Sequence, residues 1–584
     1  MRRNGDMRVQ APGAVTALTD AMIAIDAVWR EQSKSPYIAM QLGDRVHAFP
    51  SLGEAAAERR SALGRDLLAR IDAVDAAALP RDLAISLTVA RTQAARWARE
   101  ADWYWLLMDP AGVGFYCLFG PTAYGGGYLL GLLPQVLRGA PFAEAADIDR
   151  YCALVEDYAR LVREMHARTT GQAARGIRMP KPQVVQAVEL LRRLRAAALP
   201  TLSVAETRLA AVGGAAAAAR IQARIEAVVL PALDAFLAEV SAADYHDRAP
   251  DTVGIAQYPR GREIYAELVR LHTTTDLTPE AVHAKGLERM GRIRAAMGDL
   301  FARIGFAGTP REYLDRIAAD PAWRATGEEA IAAFFRRYID RIAPRIDHFF
   351  DFKPSAGHDV EALPAAQAGS MTFGYYAPPN PVEPLGKYRF NAGNLAGNPL
   401  CGIGALNYHE LVPGHHFHIA SQNENRHLHP LRKFTNFNAF NEAWAEYAAT
   451  LAGEMGMYPA PEEEFGRYMM DAFLTCRLVV DTGMNVLGWT LAQARDYMRA
   501  NAFMPETEIR TESIRYSCDI PAQSLAYKLG DEALLAIREE MRTALGDRFD
   551  IRAFHNAVLK PGSLPLDLVR ANVQAATAEM IAST

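Results

Sequence analysis

The stretch Asn407-Tyr-His-Glu-Leu-Val-Pro-Gly-His-His-Phe-His418 decides how the rest of the chain is interpreted. Six of the 14 histidines lie between Asn407 and Pro430. Histidines in a core or on a surface have no reason to crowd in this way, whereas imidazole is the commonest metal ligand among side chains. The stretch therefore predicts a metal site.

The pair His409-Glu410 begins like the HExxH motif, in which two imidazoles on one helical face hold zinc and the adjacent carboxylate takes a proton from water. The spacing differs here, because Pro413 occupies the position four residues after His409. Proline lacks a backbone donor and clashes with the preceding turn, so a kink or bulge is predicted. A two-residue bulge would make His415 the second ligand, whereas the alternative ligand His416 would need a larger rearrangement.

A second helix is predicted to supply the remaining ligand. Glu442 and Glu446 are four residues apart and therefore share one helical face. Three protein ligands and an open position for water are typical of a catalytic zinc site. We expect Glu442 to be the third ligand and Glu446, one turn later, to accept the free ring N–H of a liganding histidine. Glu410 would then be the general base.

At these residues the chain resembles a large bacterial family of predicted zinc metallopeptidases that carry an HExxPGH motif and were long catalogued as a domain of unknown function. The resemblance is close to full length and includes the segments 253–286, 477–489, 515–530 and 554–565. One departure is Asn485, where the family favours histidine. The resemblance implies a zincin-like, gluzincin-like catalytic core that holds Zn²⁺, but it does not supply a substrate.

Composition excludes several classes of function. The chain has 584 residues, 50% of them hydrophobic, and a formal net charge of -5, so it can bury a large core but has no basic field for nucleic acid. No apolar run is long enough to cross a membrane, and the start of the chain lacks the apolar segment of an export signal. The five cysteines are scattered and odd in number. These features predict a cytoplasmic protein with no membrane partner.

The hydrophobic periodicity predicts a mainly α fold. The Pro/Gly-containing loop 352–366 is the candidate boundary between an N-terminal helical scaffold and cleft wall (residues 1–351) and a catalytic half (residues 352–584), which together form one continuous unit. Two short β-like runs, 370–376 and 387–391, predict a hairpin beside the metal helix. With the resemblance, these features lead us to expect a zincin-like, two-lobed helical protein with a central cleft. A strand edge would hold an extended substrate, with Tyr375 as a candidate contact.

Late in the chain, the block 512–530 carries the remaining candidate site residues. Tyr516 and Tyr527 are neutral hydrogen-bond donors at pH 7 and could stabilise an oxyanion, with Tyr527 preferred. Arg515 and Lys528 are candidates for binding a substrate carboxylate, and Gln523 for a further substrate contact.

Arg477 and Asp481 interrupt an apolar helical run four residues apart. Because buried charges must be paired, an Arg477–Asp481 ion pair is predicted. The alternative is an Arg477 that faces the substrate.

The leading hypothesis is a zinc-dependent hydrolase that cleaves a peptide or amide bond in a small substrate by metal-activated water. The second hypothesis keeps the metal but assigns chemistry on a non-peptide specialised metabolite. The third is a non-catalytic helical binding protein with a vestigial metal site.

Overall fold

The chain folds mainly into helices, as its periodicity predicts, in a computed structural model that describes residues 12–112, 114–363, 373–396 and 398–583. The α-helices that precede the sheet span Pro12–Gln32, Pro36–Leu42, Glu54–Asp72, Arg81–Ala98, Glu100–Trp103, Gly126–Arg138, Ala146–Ala174, Lys181–Leu202, Gly214–Arg224, Leu230–Ser241, Ala243–Asp247, Gly261–Thr273, Pro279–Ile304, Pro310–Ala319 and Glu328–Ile342. Those that follow it span Ala392–Leu395, Ile403–Glu410, His415–Glu424, Pro430–Phe434, Asn438–Glu454, Pro461–Asn485, Leu491–Asn501, Glu506–Ile514, Ala526–Leu545, Ile551–Leu559 and Leu566–Ala582. None of these helices is both long and apolar enough to span a bilayer.

A small sheet lies between the two groups of helices. Its strands are β1 (His358–Ala362), β2 (Gly374–Ala377) and β3 (Gly386–Phe390), in the order β1-β3-β2. The antiparallel pairing of β2 with β3 confirms the predicted hairpin, although residues 370–372 of its first predicted run lie outside the described residues. The strand β1, parallel to β3, was not predicted.

Five helices carry the candidate site residues and are named here by them. They are the His409 helix (Ile403–Glu410), the His415 helix (His415–Glu424), the Glu442 helix (Asn438–Glu454), the Arg477 helix (Pro461–Asn485) and the Tyr527 helix (Ala526–Leu545). The Glu442 helix packs against both the His409 helix and the Tyr527 helix. Gly530 allows that second approach, since a Cβ there would lie 2.6 Å from the carbonyl oxygen of Ala439.

The hydrophobic core joins the two halves of the chain. Each of three buried clusters contains residues from both sides of residue 352. One of them packs Val28 and Ala90, from the N-terminal helices, in the same cluster as Trp444 of the Glu442 helix. The predicted boundary near residue 352 does not interrupt the core, and the boundary, the two lobes and the central cleft stay predictions.

Candidate metal centre

The helix through the histidine-rich stretch is fully interrupted, where the sequence predicted a kink or a bulge. The His409 helix ends at Glu410, and a new helix begins at His415. The peptide between Val412 and Pro413 is cis, and the indole N–H of Trp444 donates to the Pro413 carbonyl (2.8 Å). Gly414 is required at the end of the turn, because a Cβ there would lie 1.9 Å from the carbonyl oxygen of His409. The turn thus folds back onto the end of the first helix.

This turn brings three potential metal ligands together. Glu442 Oε2 lies 3.6 Å from His409 Nε2 and 3.5 Å from His415 Nε2. The three ligand atoms all lie within 4.8 Å of one another. Tetrahedral zinc with bonds of about 2.0–2.1 Å separates its ligand atoms by about 3.3 Å. The donor set, two imidazoles and a carboxylate, and its spacing therefore fit a zinc ion.

The carboxylate of Glu442 supplies an independent test of that fit. Its Oε2 atom is buried and has no hydrogen-bond partner. Burial raises the pKa of Glu442, but the imidazoles of His409 and His415 outweigh that effect and hold it well below its usual range. An ionised oxygen in the protein interior is costly unless a cation or a donor faces it. A metal ion between the two imidazoles would meet this requirement.

His409 is held from behind by a buried chain of charges. Its Nδ1–H donates to Glu446 Oε1 (2.8 Å), as predicted, which leaves Nε2 free to face Glu442. Burial raises the pKa of Glu446, but the ammonium of Lys528 outweighs it and holds the pKa well below its usual range. Lys528 is fully buried and also lies 3.0 Å from Asp471 and 3.3 Å from Asp531. The prediction that Lys528 binds substrate is therefore wrong, because three carboxylates already surround its ammonium.

His418, which sequence reasoning missed, lies behind His415. His415 Nδ1 and His418 Nε2 are 3.4 Å apart, so a proton on Nδ1 of His415 leaves its Nε2 free for a metal. Burial holds the pKa of His418 well below its usual range, which keeps this ring neutral. The spacing of three residues on one helix was the signal that could have identified it.

The alternative ligand His416 points away from the metal site. Its Nε2–H donates to the Ala356 carbonyl (3.1 Å), and its Nδ1 accepts from the hydroxyl of Tyr376 (2.9 Å). Both ring nitrogens are therefore used. The structure places His415 beside Glu442 and uses His416 to hold Tyr376 in position.

Tyr376 is a second residue that the sequence did not single out. Cross-strand neighbours share a face of a sheet, and Tyr376 is paired with the buried Tyr388, whereas Tyr375 is paired with Arg389. The ring of Tyr376 stacks 6.5 Å from that of His415. Tyr375 instead accepts a hydrogen bond from Arg389 (3.4 Å) on the other face. The residue beside the metal site is thus the neighbour of the predicted one.

Glu410, the predicted base, is the last residue of the His409 helix and is only 9% exposed. Burial raises its pKa, while the imidazoles of His409 and His415 act in the opposite direction. Glu410 is therefore a buried carboxylate of raised basicity that directly follows the candidate ligand His409 in the chain.

The two candidate tyrosines occupy different environments. The ring of Tyr527 stacks on that of His409, with 6.1 Å between centroids and 12° between planes. Burial raises the pKa of Tyr527 to about 12, so its hydroxyl keeps its proton at neutral pH. The hydroxyl of Tyr516 instead donates to Glu512 and accepts from Arg477 Nε (2.7 Å). Tyr516 is fully buried, so its predicted oxyanion role is wrong because its single proton is already used.

The predicted ion pair between Arg477 and Asp481 does not form. Arg477 Nη2 donates to Glu512 (3.3 Å), whereas Asp481 accepts from the hydroxyl of Tyr265 (2.8 Å) and from the backbone N–H of Ala522 (3.1 Å). Four-residue spacing put the two charges on one face, but each side chain leans toward a different neighbouring helix.

The two remaining candidates, Arg515 and Gln523, bond to each other. Arg515 Nη2 donates to Gln523 Oε1 (2.7 Å), and Gln523 Nε2 donates to Asn438 at the start of the Glu442 helix (3.2 Å). Gln523 is only 2% exposed and positions Arg515. Asn485 is also internally satisfied, since it bonds Asp481, the Tyr516 carbonyl and the N–H of Ile255.

Comparisons with known proteins agree with the mainly helical fold. The family model described as "Bacterial protein of unknown function (DUF885)" matches residues 36–573. Two solved structures are similar over nearly their whole length. "The crystal structure of the putative lipoprotein from Colwellia psychrerythraea" has a TM-score of 0.82 at 23% identity and covers 97% of this chain and 99% of its own. A "putative lipoprotein of unknown function from Shewanella oneidensis" has a TM-score of 0.71 at 18% identity and covers 95% and 99%. No curated protein matches the chain significantly.

The prediction of a cytoplasmic location is contradicted by these two structures, since both are described as lipoproteins and a lipid chain anchors a protein to a membrane. The cysteine argument failed for a physical reason. All five cysteines are free and buried, so burial rather than a reducing compartment accounts for their survival as thiols.

Proposed function

The chain belongs to the bacterial DUF885 family of unknown function, and from that premise we propose that it is a zinc-dependent hydrolase of peptide or amide bonds. The observation that carries the proposal is the convergence of His409, His415 and Glu442 on one point, with the orphaned oxygen of Glu442 facing both imidazoles. The proposed general base, Glu410, directly follows His409 in the chain, and the ring of Tyr527 stacks on that of His409. A binding protein would have no need of that combination.

Each residue has a chemical task in this proposal. Zinc, when bound, supplies a Lewis acid that lowers the pKa of water to about 7 and polarises a carbonyl. Glu410 accepts the proton of the attacking water and later delivers it to the leaving amine. Tyr527 donates a hydrogen bond to the carbonyl oxygen as negative charge develops there, because its hydroxyl is neutral and its ring is fixed against His409.

The residues behind the ligands fix their orientation. Glu446 holds His409 with Nε2 toward Glu442, and His418 does the same for His415. Such outer contacts raise the basicity of the ligand nitrogen and set its tautomer.

The edge of β2 is the proposed support for the substrate. Among the described residues β2 pairs with β3 on one side and with no strand on the other. An extended peptide can add to such an edge through main-chain hydrogen bonds. Because Tyr376 of β2 stacks on His415, a peptide on this edge would lie beside the metal site.

We further propose that the protein acts outside the cytoplasm, in line with the lipoprotein descriptions of the two similar structures. Fractionation of the native host should recover it outside the cytoplasmic fraction. Recovery in the cytoplasmic fraction would contradict this location.

The test of the activity is the substitution Glu410→Gln. The variant should retain about one equivalent of zinc, measured by mass spectrometry of the purified protein, and lose turnover of a peptide library by about 10²–10⁴-fold. Glu288→Gln, an exposed carboxylate that pairs with Arg292, is the matched control and should keep full turnover. Wild-type turnover in zinc-loaded Glu410→Gln would refute the assignment, as would a wild-type protein that binds no zinc.

A further inference from the structure

Two guanidinium groups lie beyond Tyr527 as seen from the metal site. The Arg477 guanidinium, which belongs to the Arg477 helix, lies 4.6 Å from the centroid of the Tyr527 ring. Arg515 reaches the same region from the π-helical turn Arg515–Asp519. The two cations flank the ring of Tyr516, at 5.6 Å and 5.9 Å from its centroid. They therefore form one cationic group next to the proposed oxyanion donor.

A single carboxylate, that of Glu512, contacts both cations. Glu512 Oε2 accepts from Arg477 Nη2, and Glu512 Oε1 lies 3.5 Å from Arg515 Nη1. The next carboxylate, Asp519, is held by Thr122 and by the backbone N–H of Tyr124. One carboxylate is thus shared by two buried cations, which is an unfavourable balance unless another anion is supplied.

Unused donors point to the same conclusion. Arg477 Nη1 and Arg515 Nε are both buried and have no hydrogen-bond partner. The side chain of Arg477 is only 5% exposed and that of Arg515 is 11% exposed. A buried guanidinium N–H group without an acceptor is energetically costly, and one carboxylate can accept two N–H hydrogen bonds at once.

An aromatic ring also lies against this cationic group. Tyr124, from the glycine-rich segment 112–127, is half-buried, and the Arg515 guanidinium lies 4.6 Å over its ring. This contact restricts the orientation of the Arg515 guanidinium. An aromatic ring against a bound carboxylate group excludes water and strengthens the ion pair.

We propose that Arg477 and Arg515 bind a carboxylate of the substrate, so that the enzyme acts on amides and short peptides that carry a free carboxylate near the scissile bond. This inference rests on the proposed function. The distance between the metal site and the cations has an upper bound. The ring centroids of His409 and Tyr527 are 6.1 Å apart, and the Arg477 guanidinium carbon lies 4.6 Å from the Tyr527 centroid. An extended chain advances about 3.5 Å per residue, so the carboxylate lies within about three residues of the bond that is cleaved.

The experiment compares matched ligands that differ only in that charge. A panel of N-benzoyl dipeptides and tripeptides is prepared as free acids and as C-terminal amides. Binding of each pair to zinc-loaded Glu410→Gln protein is measured by titration calorimetry, and turnover by the zinc-loaded wild-type protein is measured in parallel. Free acids should bind about 10- to 100-fold more tightly than their amides, the range for a lost charge-assisted hydrogen bond.

Substitution of Arg515 should remove this discrimination. In Arg515→Gln the ratio of free-acid to amide affinity should fall to near one, and Arg515→Lys should restore part of it because the charge returns without the planar fork. Arg499→Gln, which removes an exposed arginine paired with Glu506, is the matched control and should leave the ratio unchanged. Melting curves of all variants identify any that fail to fold.

The outcomes separate this inference from the proposed function. Equal affinity for acids and amides, or no binding of any acid, overturns the carboxylate site. A ratio that survives in folded Arg515→Gln also overturns it. Tight, Arg515-dependent binding of free acids without turnover by the wild-type protein would sustain the carboxylate site and refute the hydrolase instead.

Discussion

At the scale of single residues, the orientation of His409 depends on a buried group of charges behind its ring. The carboxylate of Glu446 is kept ionised by Lys528, which itself lies among three carboxylates. Burial alone would lower the pKa of His409, but the neighbouring carboxylates of Glu442 and Glu446 outweigh it and raise the pKa to about 10. If zinc binds as proposed, the residues behind His409 should influence its affinity, because they set the basicity and orientation of that imidazole.

Removing the charge of Glu446 should weaken metal binding. In Glu446→Gln the amide cannot accept the His409 N–H as strongly, so the ligand nitrogen becomes less basic and its orientation less fixed. We expect zinc affinity, measured by competition with a fluorescent chelator, to fall by about 10- to 100-fold. Glu454→Gln on the same helix removes an exposed partner of Arg538 and should leave the affinity unchanged. Equal zinc affinity of Glu446→Gln and the wild-type protein would contradict this role.

A second buried carboxylate should make stability depend on pH. Burial raises the pKa of Asp519 to about 6, although Thr122, the N–H of Tyr124 and Arg515 favour its ionised form. Folding thus favours the protonated form of Asp519. Its contribution to the unfolding free energy is complete below about pH 4 and is lost as the pH rises through about 6. In Asp519→Asn the side chain is neutral at every pH. Between pH 5 and pH 8 the wild-type protein should lose about 1.5 kcal/mol more unfolding free energy than this variant in urea titrations. A constant difference between them would contradict the shift.

The sequence predicted the residues whose roles depend on local spacing. His409, Glu410 and His415 lie within one short segment, and Glu442 and Glu446 share a helical face. Lys528 was misassigned because its partner Glu446 is 82 residues away, and Tyr516 because its hydroxyl donates to Glu512. The partner of Lys528 depends on packing between distant helices, and residue spacing carries no information about that, whereas the four-residue spacing of Glu512 and Tyr516 was a usable signal.

At the scale of elements, the interruption between the His409 and His415 helices sets the distance between the two imidazoles. Proline explains why the helix cannot continue, and its position was enough to predict a distortion. The size of the distortion was not predictable, because it depends on the Trp444 bond to Pro413 and on the contact of Gly414 with the preceding helix end.

Gly414→Ala should separate the ligands. The added Cβ would lie 1.9 Å from the His409 carbonyl oxygen and 2.4 Å from that of Tyr408, so the turn must move and His415 with it. We expect unfolding free energy to fall by about 1–3 kcal/mol and zinc affinity by more than about tenfold. The control is Gly298→Ala, where no atom lies within 4 Å, and the added methyl should gain about 0.5–1 kcal/mol in its helix. Unchanged zinc binding in Gly414→Ala would show that the turn tolerates the methyl group.

The sheet shows the same limit of local reasoning. Alternating residues and a turn-forming segment identified β2 and β3, because the two strands of a hairpin follow each other in the sequence. The strand β1 pairs directly and in parallel with β3, with His358 opposite Gly386, although β2 lies between the two strands in the sequence. A short strand with intermediate burial at four of its five positions has no pattern that distinguishes it from a loop.

At the scale of the whole molecule, the N-terminal helices hold the segment that joins two ligand helices. Residues 425–437 connect the His415 helix to the Glu442 helix. Within them, fully buried Arg432 pairs with Asp82, and Gln32 donates to the Phe434 carbonyl (2.9 Å). The same two N-terminal helices share a hydrophobic cluster with Trp444. Loosening these helices would therefore alter the geometry of the metal site.

This connection predicts that zinc stabilises the molecule as one unit. Ligand that binds only the folded state adds about 4 kcal/mol when it is present at 1,000 times its dissociation constant. Scanning calorimetry of chelator-treated protein should show one transition, and zinc should raise its midpoint by a few degrees, the shift typical of a large domain. Glu442→Gln, which replaces a ligand carboxylate by an amide, should abolish most of the shift. Two transitions of which only one responds to zinc would instead mean that residues 1–351 unfold separately from the metal site, in conflict with a core that crosses residue 352.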